Sequence, residues 1–422
     1  MKKLLKLIVN TATFKESSIT IVGTMLNGLL GALFYISVAR ILGPVEFGLL
    51  TISIVTLTLI SDVADIGTNT GLIRFVSSNL SHDKDKAMRF LKLSLEIKIA
   101  VWMLAFLTVF FSAPFLAQEI FHKVELILPL RLVAFGVGGA LLFSFATSSI
   151  QAFQKYFLWS GLNIITNLLR LVLIFILGYN LALNVENGLL VYIILPFFGF
   201  FIAMLILPAR KIFSAKGEYS LSKELFVYNI PVAIFTIISA FSSRLDTYLT
   251  ASLLSTREVG IYGAASQLVQ VVPQLVGALG VVAAPKFASF QSSNQMLAYF
   301  KKFQLLVLGL CLLGILSIPL FVYLIPIIYG HGYQEAVIPF TFLFIAMLVF
   351  LFSVPVHISV IYYFARPDVF IWVAIGHLLI IGGLGYIMIS SYGIIGASIT
   401  VLVGTTFNLI YPLIWLLIKL KR

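Results

Sequence analysis

Long apolar runs recur from one end of the 422-residue chain to the other, and they restrict its fold more than any other feature. Runs such as "LVLIFILG" and "LLVLGLCLLGIL" are apolar on every side. A run of about 20 apolar residues can cross the hydrocarbon core of a bilayer as a helix. Charged residues make up only 10% of the chain, against about 25% in soluble domains. The sequence therefore predicts an all-α polytopic membrane protein.

Glycines, prolines and charged clusters divide this apolar sequence into twelve predicted membrane spans. In the first half their approximate limits are 17–38, 47–76, 93–116, 126–150, 158–178 and 188–208. In the second half they are about 225–250, 259–285, 303–328, 337–363, 368–389 and 394–418. Because the number of spans is even, both termini are expected on the same side of the membrane.

The distribution of basic residues predicts which side that is. With a cytoplasmic N-terminus, twenty of the 28 Lys and Arg residues fall on inner segments and five fall within spans. Only Arg40, Lys123 and Arg257 then lie in outer loops. This asymmetry follows the positive-inside rule, so we expect cytoplasmic termini and a multi-pass protein of the cytoplasmic (inner) membrane. The basic residues are scattered over several inner segments, which favours contact with anionic membrane lipid over nucleic acid.

Several kinds of site are not expected. The start of the chain, "MKKLLKLIVNTATFKESS", has an apolar region too short for a cleaved signal peptide, and we interpret it as a cytoplasmic interfacial segment. Cys311 is the only cysteine, so no intrachain disulfide or cysteine-based metal site is available. The sequence contains no phosphate-binding loop ending in Gly-Lys-Ser/Thr and no His-Glu-x-x-His pair. We therefore expect no cofactor, no metal and no ATP hydrolysis.

A weak internal repeat indicates how the spans are organised. "ARILGPVEFGLL" (Ala39–Leu50) and "ASLLSTREVGIY" (Ala251–Tyr262) are 212 positions apart and share four identical residues. The two stretches fall between spans 1 and 2 and between spans 7 and 8. We therefore predict two six-helix bundles, 1–210 and 211–422, related by a pseudo-two-fold axis along the membrane normal. Transporters built in this way carry substrate between their halves, near the bilayer midplane.

Three motifs resemble one family. "ARILGPVEFGLLT" follows the first span, "VGIYGAASQLVQ" (Val259–Gln270) begins the eighth and "YGIIGASIT" (Tyr392–Thr400) begins the twelfth. They resemble the polysaccharide and lipid-linked oligosaccharide flippases of the multidrug/oligosaccharidyl-lipid/polysaccharide exporter superfamily. The resemblance runs the full length of the chain. It implies that polyprenyl-pyrophosphate oligosaccharide repeat units, of O-antigen or another cell-surface polysaccharide, cross the membrane by alternating access. Drug-exporting relatives share the architecture, so the motifs narrow the substrate class without naming a substrate.

Moving a sugar headgroup through a bilayer requires a polar interior, and polar residues within spans normally face such an interior. On span 5, Asn163, Asn167 and Arg170 are spaced i, i+4 and i+7, which places them on one helix face. Arg170 lies about 18 Å from the predicted inner end of the span. We expect it to bind phosphate or an acidic sugar while the asparagines meet hydroxyls. The alternative is hydrogen bonding between helices of the N-terminal bundle.

Two further polar faces are candidate linings of the cavity. Span 8 carries Gln267, Gln270 and Gln274 beside Pro273, a predicted kink. Span 1 carries Thr24 and Asn27. The resemblance implies that the first two helices of each half border the central cavity, which is where these residues fall. Packing between helices through small and polar residues is the alternative role.

Acidic residues and histidines within spans are candidates for coupling to H+ or Na+: Asp62, Asp65, Asp246 and His377. Asp62 and Asp65 precede "GTNTG", a stretch expected to break the helix. The alternatives are a carboxylate that pairs with a nearby cation or ends a helix, and a buried histidine that is simply hydrogen-bonded. Among the cations, Arg74 and Lys98 are expected to reach the inner interface. Arg131 and Arg244 lie near the outer ends of spans 4 and 7, where they either reach the outer interface or line the cavity.

Two rival functions are weighed. A drug:cation antiporter of the same fold would depend on Asp62, Asp65 or Asp246 and little on Arg170. A membrane enzyme acting on polyprenyl-linked sugars would need a sizeable outer loop, whereas the predicted outer loops hold about ten residues or fewer. The sequence favours a flippase, a protein that is not an enzyme, with membrane lipid and a lipid-linked oligosaccharide as its partners.

Overall fold

The computed structural model describes residues 12–216 and 219–421, and the side chains of 20–216 and 221–420. Over these ranges the chain contains helices and no strand. Ten helical stretches are long and apolar enough to cross a membrane, so this is a multi-pass membrane protein. The first eleven residues of the predicted N-terminal interfacial segment, with Lys2, Lys3 and Lys6, lie outside the described residues. The cytoplasmic location of both termini stays a prediction.

The chain forms two compact units. The first contains the described residues up to Val38 and Ser53–Ala240, and the second contains Ala39–Ile52 and the residues from Phe241 onward. The stretch that opens the internal repeat therefore packs with the second unit, although it lies early in the sequence. The predicted halves, 1–210 and 211–422, are defined by the internal repeat, and this division of the chain stays a prediction.

The described residues up to Ser242 form eight helices: α1 (Ala12–Asp65), α2 (Thr68–Asn79), α3 (Lys84–Phe115), α4 (Ile127–Ala152), α5 (Tyr156–Tyr179), α6 (Val185–Ile206), α7 (Ala209–Ser214) and α8 (Tyr219–Ser242). Short π and 3-10 turns, Leu116–Ile120 and Val124–Leu126, connect α3 to α4. Aliphatic and aromatic side chains fill the core of the first unit, where Phe75 stacks on Phe90 with 4.8 Å between ring centroids.

Seven helices follow: α9 (Leu245–Leu253), α10 (Thr256–Val269), α11 (Val271–Ala288), α12 (Ser293–Tyr329), α13 (Val337–Ile358), α14 (Val369–Leu379) and α15 (Gly385–Lys421). A 3-10 turn, His331–Ala336, precedes α13, and π turns follow α13 and α14 at Ser359–Tyr363 and Ile380–Leu384. Helix α10 begins with a capping box, in which Ser255 and Glu258 satisfy each other's backbone N–H groups.

Two of the ten membrane-spanning stretches are too long for a single crossing. Thr20–Asp65 has 46 residues and Val369–Leu420 has 52, or about 70 Å and 78 Å of helix, against a hydrocarbon core of about 30 Å. Each contains a glycine outside helical geometry, Gly43 at φ 75° and Gly393 at φ 57°. Twelve crossings require the chain to turn at these two glycines, and that count stays a prediction.

Three predicted spans are interrupted. "GTNTG" breaks the helix as expected, because Ile66 and Gly67 adopt φ of 50° and 70° between α1 and α2. The prediction of one continuous span over residues 225–250 is wrong, since α8 ends at Ser242 and α9 begins at Leu245. The span 259–285 is interrupted between α10 and α11. Pro273 explains this interruption, because its ring clashes with the carbonyl four residues earlier and has no N–H to bond it.

The first stretch of the internal repeat, the hairpin Ala39–Leu50, contacts the second stretch, Ala251–Tyr262, within the second unit. A Cβ on Gly48 would overlap the carbonyl oxygen of Thr256, and a Cβ on Gly260 would overlap that of Pro44. Positions 44 and 256, like 48 and 260, are 212 apart. The contact is therefore reciprocal, as a local two-fold relation between the two stretches requires.

Hydrogen bonds explain the polar residues of this hairpin. Arg40 Nη1 donates to the carbonyl oxygens of Ile327 at 2.8 Å and Ile328 at 3.2 Å, near the C-terminal end of α12. The Tyr333 hydroxyl donates to the carbonyl oxygen of Ala39 at 2.8 Å. A guanidinium suits the unbonded carbonyls at a helix C-terminus. These bonds hold Ala39–Ile52 in the second unit.

Candidate functional site

The polar face predicted on α5 forms a bonded chain with α1. Arg170 Nη1 donates to Asn167 Oδ1 at 2.8 Å, and Asn167 Nδ2 donates to Asn27 Oδ1. Asn163 is not part of this chain, because its amide donates to the carbonyl oxygen of Trp159 one turn earlier. The structure thus brings together three of the residues predicted from different spans and leaves Asn163 bonded to its own helix.

Asn27 and Asn167 are within hydrogen-bonding distance because α1 and α5 pack closely against each other. A Cβ on Gly23 would overlap the Ser160 hydroxyl, so α1 and α5 approach closely one to two turns before the asparagines. Small residues permit this distance, and amide side chains can then bond across the contact. Thr24 is half-buried on α1, and no hydrogen bond of its side chain occurs within the described part of the chain. Its role as a cavity lining stays a prediction.

Aromatic rings surround the Arg170 guanidinium. Its central carbon lies 4.1 Å from the ring centroid of Tyr192 on α6 and 5.5 Å from that of Phe34 on α1. Such contacts stabilise a cation through the ring quadrupole. Phe34 lies seven residues after Asn27, on the same face of α1, which is a signal that the sequence contained. Tyr192 carried no such signal.

The guanidinium keeps unused donors. Arg170 Nε is buried and has no hydrogen-bond partner among the described residues, and no carboxylate there forms an ion pair with Arg170. An Arg side chain has five N–H donors in a planar fork that fits phosphate or carboxylate oxygens in pairs. The Arg170 cluster (Arg170, Asn167, Asn27, Tyr192 and Phe34) is therefore suited to an anionic ligand.

The glutamines of the second unit do not lie on one continuous helix. Gln267 is in α10, Gln270 is at the break and Gln274 is in α11. Gln270 and Gln274 are exposed, and Gln267 is half-buried. The interruption before Pro273, where the sequence predicted a kink, separates Gln267 from Gln274. That these residues line a cavity stays a prediction.

Asp65 pairs with Lys98. The Lys98 ammonium lies 2.5 Å from Asp65 Oδ1 and donates to Ser144 Oγ at 3.1 Å. Lys98 is 1% exposed, so the expectation that it reaches the inner interface is wrong. Asp65 also accepts from the Thr68 hydroxyl at 3.0 Å and from Asn69 N at 3.4 Å, after the helix break. Asp65 thus both pairs with a cation and bonds the residues at a helix break, the two alternatives to ion coupling that the sequence left open.

Asp246 and His377 have polar partners that the sequence did not reveal. Asp246 lies in the first turn of α9 and accepts a hydrogen bond from the Tyr262 hydroxyl. A carboxylate is stabilised near a helix N-terminus by the helix dipole. His377 Nδ1 lies 2.5 Å from the Ser242 hydroxyl, and its ring packs so closely on α15 that a Cβ on Gly404 would come within 2.9 Å of it. Tyr262 belongs to the quoted "VGIYGAASQLVQ" motif, which was its only signal.

Asp62 and His357 also lie within the predicted spans. Asp62 is half-buried one turn before Asp65. His357 bonds the carbonyl oxygen of Asn408 through Nε2 at 2.8 Å, as a structural histidine does. No group of three His, Cys, Asp or Glu side chains that could hold a metal ion occurs where the structure describes the chain.

Solved structures with this fold are transporters and a flippase. An inward-facing multidrug resistance transporter of the MATE family, in the MOP superfamily, matches with a TM-score of 0.75 and 15% identity, covering 96% of this chain and 98% of that one. Lipid II flippase MurJ, in an inward closed conformation, matches with a TM-score of 0.77 and 14% identity, covering 94% and 87%. A MATE protein in complex with MaL6 has a TM-score of 0.68 at 13% identity and covers 96% and 95%. The chain therefore has the MATE- and MurJ-like fold.

The sequence identifies the family within that fold. The sequence model of the polysaccharide biosynthesis protein family matches residues 13–291, about two thirds of the chain. The protein belongs to this family, which confirms the resemblance, and two of the three motifs, those at Ala39 and Val259, lie within the matched residues. A search of curated proteins found no significant match.

Proposed function

We propose that the protein is a flippase that moves polyprenyl-pyrophosphate-linked oligosaccharide repeat units across the cytoplasmic membrane by alternating access, for cell-surface polysaccharide biosynthesis. The Arg170 cluster is the observation that carries this proposal. A cation in the middle of an apolar helix, with donors left unbonded among the described residues, needs an anionic partner, and the pyrophosphate of such a substrate provides one. Family membership and fold support translocation over an enzymatic reaction on the same lipids.

The cost of placing Arg170 in the membrane supports a functional role. It is the fifteenth residue of the 24 in α5, about 21 Å along the helix. Charged residues at the centre of a span cost about 2.5–3.5 kcal/mol even on insertion scales. Two aromatic faces and one amide offset part of that cost. A pyrophosphate bound in transit would accept from the remaining N–H groups, and the amides of Asn27 and Asn167 would meet sugar hydroxyls.

Reconstitution into liposomes tests this proposal. The full chain is incorporated with a labelled polyprenyl-pyrophosphate sugar, and transfer of the label between leaflets is measured. Arg170→Ala should reduce transfer about a hundredfold, and Arg170→Lys should restore only part of it because Lys does not bind phosphate oxygens in pairs. Arg131→Ala is the matched control, since Arg131 also packs over an aromatic ring, Phe110 at 5.2 Å, and also has a buried Nε without a partner in the described chain. Normal transfer by a folded Arg170→Ala protein would reject the headgroup role.

One observation favours a second candidate function, a drug:cation antiporter of the same fold. The Asp246 carboxylate, bonded by Tyr262, is a membrane-embedded group able to exchange H+ or bind Na+. Together with His377, Asp62 and Asp65, it is also our candidate for ion coupling in a flippase. The same liposomes distinguish the two functions when a pH or Na+ gradient is imposed. Asp246→Asn should remove the response of flipping to the gradient, whereas in an antiporter it would abolish cation exchange and Arg170→Ala would not.

A further inference from the structure

A basic pocket in the first unit lies apart from the Arg170 cluster. The first turns of α3 and the end of α7 line it, together with the two residues that follow α7. Three of the lining side chains are cationic, Arg89, Lys211 and Lys216, and one is acidic, Asp85. Lys211 and Lys216 are exposed, and within the described residues neither forms an ion pair. The pocket therefore has an excess of positive charge.

The walls of this pocket are held in place by contacts that do not use its two lysines. Ile212 of α7 is fully buried in the core of the first unit. The Lys92 ammonium donates to the carbonyl oxygen of Ala215 at 2.8 Å, which ties the segment after α7 to α3. Lys86 forms an ion pair with Glu224 of α8 at 3.3 Å. Lys86 and Lys92 thus form bonds within the protein, while Lys211 and Lys216 stay accessible.

Exposed apolar side chains lie beside the two lysines in the sequence. Leu205, at the end of α6, is 87% exposed, and Phe213 on α7 is 59% exposed. Both flank a site where an apolar span gives way to basic residues, the level at which lipid headgroups lie. Basic pockets at this level bind the phosphates of anionic lipids. Setting the topology of a membrane protein requires basic residues on one side, but it does not require them to share a concave pocket.

We infer that this pocket binds the phosphate headgroup of an anionic phospholipid from the surrounding leaflet, with Lys211 and Lys216 as the principal contacts. Leu205 and Phe213, exposed and close to these lysines in the sequence, favour a lipid over free phosphate, because acyl chains would cover them. Each lysine near a membrane surface strengthens binding of anionic lipid by roughly fivefold. Loss of both should weaken it by about thirtyfold.

Lipid binding to the purified full chain tests this inference. Delipidated protein in detergent is titrated with phosphatidylglycerol, with phosphatidylcholine of the same acyl chains and with glycerol 3-phosphate. Bound lipid is counted by native mass spectrometry, and the thermal midpoint is followed in parallel. Lys211→Ala/Lys216→Ala should lose most of its binding of phosphatidylglycerol while keeping the midpoint of wild type in phosphatidylcholine. Lys301→Ala/Lys302→Ala is the matched control, an exposed basic pair on α12, and should bind like wild type.

Three results would overturn the inference. They are equal phosphatidylglycerol binding by the wild type and the Lys211/Lys216 variant, equal loss in the control variant, and equal stabilisation by glycerol 3-phosphate. The last would assign the pocket to a free anion. If the alanine variant does not fold, Lys211→Gln/Lys216→Gln keeps the length of both side chains and repeats the measurement without their charge.

Discussion

Two cations of the first unit, the buried Lys98 and the half-buried Arg170, are stabilised in opposite ways. Lys98 has a carboxylate at 2.5 Å and a hydroxyl at 3.1 Å, so its charge is compensated inside the protein. Arg170 has one amide and two aromatic rings and no carboxylate among the described residues. Because Asp65 compensates the charge of Lys98, that charge contributes to the structure. The charge of Arg170 has no carboxylate partner among the described residues and is available for a ligand. The two sites should therefore respond differently to mutation.

The largest expected effect is on stability, at the ion pair. Lys98→Met should destabilise the protein by about 3 kcal/mol, because it leaves the largely buried Asp65 carboxylate, 14% exposed, without its cation. Thermal unfolding in detergent would measure the loss. Lys98→Met/Asp65→Asn should recover much of the stability, since the uncompensated charge is then absent. A single variant as stable as wild type would contradict the structural role of the pair.

Arg170 should show the reverse pattern, a large loss of transport with a small loss of stability. Arg170→Ala should reduce flipping about a hundredfold, as expected when a desolvated charge contact to a ligand is removed. Its unfolding free energy should change by only about 1 kcal/mol, the contribution of a cation–π contact. Flipping and thermal unfolding are measured on the same preparation. A stability loss as large as that of Lys98→Met would remove the contrast between the two sites.

The aromatic wall of the Arg170 cluster should have a smaller effect. Tyr192→Leu removes the nearer ring and should weaken substrate binding by about fivefold, equivalent to about 1 kcal/mol. Tyr192→Phe keeps the ring and should behave nearly as wild type. Substrate affinity of the two variants, measured in the liposome assay, separates the ring from the hydroxyl. Equal affinity of the Leu variant and the wild type would argue against cation–π support.

The smallest expected effect is at the amide pair. Asn27→Ala, Asn167→Ala and the double variant form a cycle whose coupling free energy in thermal unfolding should be about 0.6 kcal/mol, typical of hydrogen bonds between membrane helices. Asn163→Ala is the control, because Asn163 bonds its own helix and should not couple to Asn27. Coupling of Asn163 that equals that of Asn167 would show that the bonded chain is misassigned.

Much of the Arg170 cluster could be predicted because it depends on helix periodicity. The spacing of Asn167 and Arg170 puts them on one face whatever surrounds α5, and the face of α1 that holds Asn27 also holds Phe34. Tyr192 could not be predicted, since it comes from a third helix and no local pattern links α6 to α5. Lys98 was misassigned for the same reason. Its position near a span end suggested snorkelling, and only packing brought Asp65 within reach.

By itself the sequence determined that the chain crosses a membrane as helices, that it belongs to its family, and that the hairpin at Ala39 has a copy at Ala251. These properties depend on hydropathy, helix period and turn residues, which act over a few neighbouring positions. The tertiary structure alone decided that Gly48 packs against the segment of Gly260, that Lys98 has a carboxylate partner and that Arg170 has none among the described residues. Such outcomes depend on contacts between residues far apart in the chain. Burial in a low-dielectric environment makes a charge costly when it has no partner, so the position of each possible partner decides the role of each cation.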